Sequence, residues 1–198
     1  MYANPLTSRD SLENRSPGER SLLCFLSLPH HDRFPKDLLK LHWERTVPAG
    51  ASNNLGYDDC LEQFRHDGLI ELRDERLEDG SIETRILIGE TCQNAVQEIY
   101  LWSPATLSEV FNDACSLLNS VWPKSVTAEV HFSSLDEVSN WRACRRLFPH
   151  VDKLLTAYMD SEGDIRKLCA TRDLACLFIE ASWYFMPRKS RFYRVLIC

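Results

Sequence analysis

The chain has 198 residues, of which 44% are hydrophobic and 26% are charged, a composition typical of a globular protein with one or two small domains. Its formal net charge is −6 and its pI is about 5.5, which argues against a free-standing nucleic-acid binder, because such proteins usually carry a basic footprint. No apolar run approaches the roughly 20 residues of a membrane span, and the N-terminus lacks a secretory signal, so we expect a cytoplasmic protein without membrane contact.

Residues 1–19 are polar and rich in turn-forming residues, which predicts a disordered lead-in. A first helix is predicted to begin at Glu19 or Arg20, and its nearly continuous apolar residues indicate burial on most faces. A second helix is expected to start with Pro35, because the missing N–H of proline costs nothing at the first helical position. The apolar side of this helix is predicted to comprise Leu38, Leu39 and either Leu41 or His42.

A third helix and a β-hairpin follow. The helix spans residues 57–66, and Gly68 is its expected left-handed cap. Partly alternating apolar residues predict strands over residues 69–72 and 82–88, and the turn between them contains Asp79-Gly80, a pair that favours tight turns. Three helices followed by a two-stranded wing are the plan of a winged helix, so we predict a winged-helix-like module.

The rest of the chain is predicted to be helical, so the fold class is mainly α. A fourth helix covers about residues 91–101, and a fifth begins with Ser103 as its cap and Pro104 at its first position. Two long helices then form an antiparallel hairpin. The first contains Pro149, which should kink it, and the second covers about residues 164–186. The predicted apolar seams are Val138, Trp141, Cys144, Phe148, Val151, Leu155 and Tyr158 in the first, and Ile165, Leu168, Cys169, Cys176, Ile179 and Trp183 in the second.

No motif of the chain indicates catalysis or cofactor binding. None of its seven glycines forms a Gly-x-Gly pair, which excludes a phosphate-binding glycine loop, and a Gly-x-Ser-x-Gly nucleophile elbow is also missing. His30-His31-Asp32 is a tight polar cluster, but it lies at a break between helices and lacks the further ligands that a metal needs. We therefore expect no catalytic residue, no metal ligand and no cofactor, and hence no enzyme.

Residues of two kinds are better explained as core than as functional sites. The eight cysteines form no Cys-x-x-Cys pair, and even Cys169 and Cys176, the closest two, have neither zinc-site nor disulfide-framework spacing. We predict reduced thiols, several of them buried as small hydrophobes. Trp141, Trp183 and Tyr184 fit an aromatic platform, although helical spacing favours a place in the core.

A DNA-binding winged helix is the alternative function. Its third helix would read the DNA, but Asp58, Asp59 and Glu62 precede Arg65, the first basic residue of that helix, and acidic side chains repel phosphates. A wing that grips DNA should also offer cations, and this one is net acidic. Its charged residues are Asp74, Glu75, Glu78 and Asp79 against Arg73 and Arg76.

Short segments taken in chain order carry a resemblance to one family. They are residues 23–28, 34–39, 60–64, 69–73, 88–93, 141–151 and 181–185. Together they resemble the winged-helix region and the first tetratricopeptide helices of fungal NB-ARC–tetratricopeptide (TPR) proteins, which are NOD-like signalling ATPases of the STAND class. The resemblance implies a module that lies between a nucleotide-binding switch and a repeat array.

One family position differs in a way that matters for function. The segment Ile88-Gly89-Glu90-Thr91-Cys92-Gln93 resembles the family element Ile-His-Arg-Leu-Val-Gln, whose histidine is thought to contact the phosphate of the bound nucleotide. Gly89 stands at that position and has no side chain for the contact, whereas Gln93 matches. Residues 1–19 match no nucleotide-binding domain, and the repeat region stops within its first repeat. We therefore expect a fragment that binds no nucleotide, arising from a truncated or alternatively spliced product or from a misassigned gene end.

These elements and the resemblance divide the chain into four parts. A disordered lead-in covers residues 1–19, and a winged-helix-like module covers residues 20–101. A helical bundle whose hairpin starts a TPR-like array covers residues 102–186, and a basic tail covers residues 187–198.

The expected function is therefore a non-catalytic module for protein interaction, acting by packing within or between molecules. Its partners are unidentified proteins, and nucleic acid, membrane and nucleotide are not expected. Arg142, Arg145 and Arg146 form a small basic stripe at helical spacing, which is either a solvated helix face or a possible partner contact.

Overall fold

The computed structural model describes residue 12 and residues 14–30, 33–47, 55–77, 80–123, 134–161, 168–169 and 171–185. Over these ranges the chain forms seven helices and a three-stranded antiparallel sheet, and the prediction of a mainly α fold is confirmed. The elements are α1 (Pro17–Leu26), β1 (Phe34–Pro35), α2 (Lys36–Thr46), α3 (Tyr57–His66), β2 (Ile70–Arg76), β3 (Ile82–Ile88), α4 (Glu90–Tyr100), α5 (Pro104–Val121), α6 (Ser134–Asp160) and α7 (Arg172–Phe185).

Helix α1 begins at Pro17, so the predicted start at Glu19 or Arg20 is wrong. Ser16 is the N-cap and forms a capping box: the Glu19 N–H donates to Ser16 Oγ at 3.3 Å, and the Ser16 N–H donates to Glu19 Oε2 at 2.9 Å. Ser-x-x-Glu before an apolar run is a signal for a helix start. The prediction missed it because a Ser-Pro-Gly sequence also favours a turn.

Pro35 lies in β1 and is the N-cap of α2, whereas the sequence predicted it as the first helical residue. The extended backbone of Phe34 and Pro35 brings them beside Ile86 and Arg85 of β3. Phe34 is thereby buried, and this packing keeps the segment extended up to Lys36. The sheet therefore has three strands in the order β1-β3-β2, where two were predicted.

Strands β2 and β3 form an antiparallel hairpin whose outermost pairs are Ile70 with Ile88 and Arg76 with Ile82. Successive side chains of a strand point to opposite faces. Here one face is mainly apolar, apart from Asp74 and Arg76 at its outer end, while the other is mainly charged. Strand β2 extends to Arg76, so Asp74 and Glu75 lie in the strand and not in the predicted turn. Glu78 and Asp79 lie outside the described residues.

The chain divides into two compact units, Met1–Phe111 and Asn112–Cys198. In the first unit α1 is buried on most faces, as predicted, and packs against α2 and α4, while α3 packs against β2. Helix α3 has the predicted bounds, and Gly68 after it has a φ of +70°, which confirms the left-handed cap. The fully buried side chains at this centre include Leu22, Phe25, Leu39, Leu61, Phe64 and Ile86.

In the second unit α6 and α7 pack against each other. Pro149 lies inside α6. The buried face of α6 runs through Leu147 and Leu154, whereas Phe148 and Leu155, which the sequence placed in the seam, are half-buried. Both errors shift the seam by one residue, because two adjacent apolar residues fit a helical period almost equally well.

Helix α7 begins at Arg172, so the predicted start near Asp164 is wrong. Thr171 precedes it, and its Oγ1 accepts a hydrogen bond from the Leu174 N–H at 3.3 Å, the arrangement of an N-cap. The predicted seam is only partly correct: Leu168 is buried and Cys176 is half-buried, whereas Cys169 is exposed and Ile179 is 56% exposed. Ile165 and the Trp183 side chain lie outside the described residues. The buried side chains of α7 are Leu174, Leu177 and Ala181.

Candidate functional site

Gly89 is the N-cap of α4 and has an ordinary extended backbone, with φ −64° and ψ 143°. A Cβ atom added to it would meet no atom within 4 Å. Neither the backbone conformation nor packing therefore requires glycine at this position. A side chain at residue 89 would project into open space at the N-terminal end of a helix, where backbone N–H groups favour anions.

Gln93 has a structural role that the sequence left unassigned. Its side chain is buried, and Nε2 donates to the Leu26 carbonyl at 2.8 Å and to the Pro29 carbonyl at 3.2 Å. One helical turn later, Gln97 Nε2 donates to the Ser27 carbonyl at 2.7 Å. The last carbonyls of a helix have no partner within it, so these two glutamines of α4 fasten the C-terminal end of α1.

The outward face of α3 is acidic, and two of its acidic side chains are paired with cations, Asp58 with Lys36 of α2 and Glu62 with Arg65. Lys36 Nζ lies 2.7 Å from Asp58, and this hydrogen bond lowers the pKa of the Asp58 carboxyl. Arg65 donates to Glu62 at 2.7 and 2.9 Å. An open depression of about 670 Å³ lies on this face. Its lining residues are Leu55, Asp59, Glu62, Gln63, Arg65 and His66.

The arginines on the charged face of the sheet form ion pairs with glutamates on the same face. Arg73 pairs with Glu71 at 2.9 Å. Arg85 is buried, pairs with Glu83 at 2.5 Å and Glu75 at 3.4 Å, and donates to the Arg33 carbonyl at 3.1 Å. The sequence indicated Arg85 only as a strand residue. Its burial has no local signal, because the Arg33 carbonyl comes from a segment 52 positions away.

A second buried arginine lies in the predicted disordered lead-in, so that prediction is wrong for residue 12 and residues 14–19, whereas residues 1–11 and 13 lie outside the described residues. Arg15 is 8% exposed and its guanidinium lies 5.4 Å from the centre of the Phe64 ring. It donates to Glu19 Oε1 at 3.0 Å and also to the carboxylate of Asp67. Burial opposes the ionisation of Asp67, but hydrogen bonds from Arg15 and neighbouring side chains outweigh it and lower the Asp67 pKa.

The Tyr100 hydroxyl donates to the carbonyl of Leu12, whose side chain is fully buried. We call Leu12, Arg15 and their contacts with Glu19, Asp67 and Tyr100 the N-terminal latch.

Arg142, Arg145 and Arg146 lie on one face of α6, since residues three and four apart are neighbours on a helix. Arg142 and Arg145 are exposed, and Arg146 is half-buried. The predicted stripe thus lies on α6, with two of its three side chains exposed. Their role as a partner contact stays a prediction.

The remaining candidate groups are described in part. His30 is half-buried, while His31 and Asp32 lie outside the described residues, as do the side chains of Trp183 and Tyr184. Trp141 is half-buried. No group of three or more His, Cys, Asp and Glu side chains within the described ranges is arranged to hold a metal ion.

Seven cysteines in the described part of the chain are free, and five of them are buried. Burial raises the pKa of the Cys24 and Cys115 thiols to about 12 and that of the Cys60, Cys92 and Cys144 thiols to about 11. The thiolate is the nucleophilic form, so these five groups are packed as unreactive small side chains. The prediction that several cysteines lie in the core is confirmed.

No protein-family model matches this chain, and neither does any curated protein or solved structure. Assignment to a family therefore depends on the resemblance of the short segments and remains a prediction. No helix within the described ranges combines the length and the apolar character needed to cross a membrane.

Proposed function

We propose that the chain is a non-catalytic module for protein interaction, built from a winged-helix-like unit and a helical hairpin of the kind that begins a TPR array. The order α1, β1, α2, α3, β2, β3, α4 supports this proposal, because it contains three helices followed by a hairpin. The short strand β1 ties the hairpin to the helices through its pairing with β3. The packing of α6 against α7 supports the second part.

The observation that carries the proposal is the charge on the outward face of α3. In helix-turn-helix proteins the second helix of the motif enters the major groove and carries the side chains that read base edges. In this chain Asp59 and Glu62 line the outer depression, and Arg65 is bound to Glu62. An acidic surface repels phosphates, which favours a protein partner over DNA for this face.

The resemblance to NB-ARC–TPR proteins remains part of the proposal. The open space around Gly89 fits a position from which the histidine of that family would reach outward to a nucleotide. With glycine there, the module keeps the helix start and lacks the side chain for the contact. We therefore propose that the module acts by packing, within its own molecule or against a partner, without responding to nucleotide.

DNA binding is the second candidate, and the three-helix-plus-hairpin order is the observation that favours it. Fluorescence anisotropy with a labelled random DNA duplex at low salt separates the two. We expect no saturable binding by the natural chain. The double variant Asp59→Lys/Glu62→Lys is the matched control, because it gives the same face the opposite charge at solvent-exposed positions. Tight, salt-sensitive binding by the natural chain would reverse the proposal.

Nucleotide binding is tested separately with a fluorescent ATP analogue. The proposal predicts no saturable signal from the natural chain at micromolar protein concentration. A micromolar dissociation constant would contradict it. The anisotropy experiment tests DNA binding and the ATP analogue tests nucleotide binding, so each of these two alternatives is judged by its own measurement.

A further inference from the structure

Ser16 lies between the N-terminal latch and helix α1. Its backbone is extended, with φ −62° and ψ 160°, as expected for a residue that precedes proline. Its side chain is half-buried, and its Oγ caps α1 by accepting the Glu19 N–H at 3.3 Å. An extended serine directly before proline is the form of substrate that proline-directed protein kinases accept.

The charges around Ser16 are balanced closely. The Arg15 guanidinium is shared by the carboxylates of Glu19 and Asp67. Glu19 also accepts the Ser16 N–H at 2.9 Å, so the capping box and the latch share one carboxylate. Arg20, the next cation along the chain, lies 5.7 Å from the centre of the Tyr100 ring. One guanidinium thus serves two carboxylates, and one of these, that of Glu19, is also bound to the Ser16 backbone N–H.

We propose that Ser16 is a phosphorylation site for a proline-directed serine/threonine kinase, and that its phosphorylation opens the N-terminal latch. In the reaction Ser16 Oγ attacks the γ-phosphorus of ATP and a new O–P bond forms. The bond from the γ-phosphorus to the bridging oxygen breaks, and ADP leaves. The hydroxyl proton passes to the general base of the kinase. The proposal does not depend on whether the module contacts protein or DNA.

The direction of the effect follows from charge. A phosphoserine carries about −1.5 to −2 charges at neutral pH. The N–H groups at the start of α1 favour this anion, so the phosphate takes the place of the Glu19 carboxylate, which it repels, and the capping box is lost. Phosphate also attracts arginine through paired charge-assisted hydrogen bonds, which draws Arg15 away from Asp67. Once the ion pair between Arg15 and Asp67 is broken, the segment that holds Leu12 against Tyr100 has no charged anchor to α3.

The chain supplies a matched comparison at the start of α5. Ser103 also precedes a proline at the first helical position, is half-buried, and has a carbonyl that accepts the Leu107 N–H at 3.0 Å. Phosphorylation of Ser103 would place no charge within the latch contacts. Variants S16A and S103A therefore separate modification of the protein in general from modification at the latch.

The full chain is incubated with a recombinant proline-directed kinase and Mg-ATP, and the phosphorylated residue is mapped by tandem mass spectrometry. Amide hydrogen exchange is then measured over residues 12–20, with α2 as the internal reference. We expect phosphate on Ser16 in the natural chain and in S103A but not in S16A. Exchange over residues 12–16 should rise on the order of tenfold, as for the loss of one hydrogen bond to a charged group.

Two variants test the contacts of the N-terminal latch without phosphorylation. Asp67→Asn removes the charged anchor without phosphate and should raise exchange over the same residues. Ser16→Asp keeps a capping acceptor and adds one negative charge, so its effect should be smaller than that of phosphate. The proposal is overturned by absence of phosphate on Ser16, by unchanged or slower exchange over residues 12–16 after phosphorylation, or by an equal rise in α2.

Discussion

The two units of the chain are stabilised in different ways. In the first unit, buried polar groups join segments that are far apart in sequence: Arg15 reaches Asp67 and Gln93 reaches the Leu26 carbonyl. In the second unit, the buried faces of α6 and α7 are mainly apolar and follow the helical period. Directional contacts between distant segments are therefore frequent in the first unit. The second unit includes such a contact too, from Asn119 Nδ2 to Asp173 at 3.0 Å, but joins α6 to α7 mainly by apolar packing.

This difference matters for how substitutions act. A buried polar contact leaves an unsatisfied partner when one side is removed, and that partner costs free energy until water reaches it. An apolar seam loses stability in proportion to the cavity that a substitution creates. Substitutions in each unit, each compared with an exposed position, distinguish these two kinds of stabilisation.

The largest effect is expected in the seam of α7. Leu177→Ala should lower the free energy of unfolding by about 2–5 kcal/mol, because the side chain is fully buried and its removal leaves a cavity. Ile179→Ala, two residues away, should change it by less than about 0.5 kcal/mol, since that side chain is exposed. Urea unfolding followed by circular dichroism measures both. Equal losses of unfolding free energy in the two variants would mean that α7 packs through a different face.

The next effect is a pH dependence from His42 in the first unit. This side chain is 4% exposed, stacks on Phe25 with ring centres 4.1 Å apart, and has Nε2 within 3.4 Å of Ser21 Oγ. Burial, assisted by the nearby charge of Arg45, lowers the His42 pKa from its ordinary value of 6.5 to about 4. Between these two values the unfolded chain binds a proton that the folded chain does not.

Stability from neutral His42 is therefore complete above pH 6.5 and is lost as the pH falls towards 4. About 2 kcal/mol should be lost between about pH 7.5 and pH 5. The pKa values of Glu19 and Asp67 are lowered from 4.5 and 3.8, so the contribution of these carboxyls is lost only at lower pH. In His42→Leu the free energy of unfolding should depend less on pH over this interval. A pH dependence equal to that of the natural chain would show that other groups cause it.

Arg15 and Arg65 offer a matched pair for the cost of breaking a charged contact. Arg15→Ala should lower the free energy of unfolding by about 2 kcal/mol, because it removes hydrogen bonds to two partly buried carboxylates. Arg65→Ala breaks an exposed pair with Glu62 and should cost less than about 1 kcal/mol. Chemical unfolding at fixed pH compares them. A cost for Arg15 no larger than that for Arg65 would show that the N-terminal latch adds little stability.

Local sequence signals predicted the elements well where one signal was sufficient. The bounds of α3, its glycine cap and the proline at the start of α5 follow from periodicity and capping preferences. The start of α1 was readable too, because Ser16 and Glu19 have capping-box spacing. The buried state of Arg15 and Arg85 was not readable, since each contacts a residue 52 positions away.

The candidate sites also contain some features that the sequence predicts and others that it does not. The acidic face of α3 follows from the helical period, because Asp59 and Glu62 are three residues apart. That Gly89 is open and Gln93 is bound to the end of α1 could not be predicted, since both facts depend on how α4 packs against α1. A matching residue in a resembling segment can thus have a structural role that the match itself does not reveal.

The smallest effect on stability is expected in the basic stripe of α6. The double variant Arg142→Ala/Arg145→Ala should change the free energy of unfolding by less than about 0.5 kcal/mol, because both side chains are exposed. Leu147→Ala in the same helix is the contrasting control and should cost about 2–5 kcal/mol, since that side chain is buried. Chemical cross-linking to other proteins is compared between the natural chain and the double variant. If the variant keeps its free energy of unfolding but loses cross-links that the natural chain forms, the stripe belongs to an intermolecular interface. A stability loss comparable to that of Leu147→Ala would instead place these arginines among the groups that hold the second unit together.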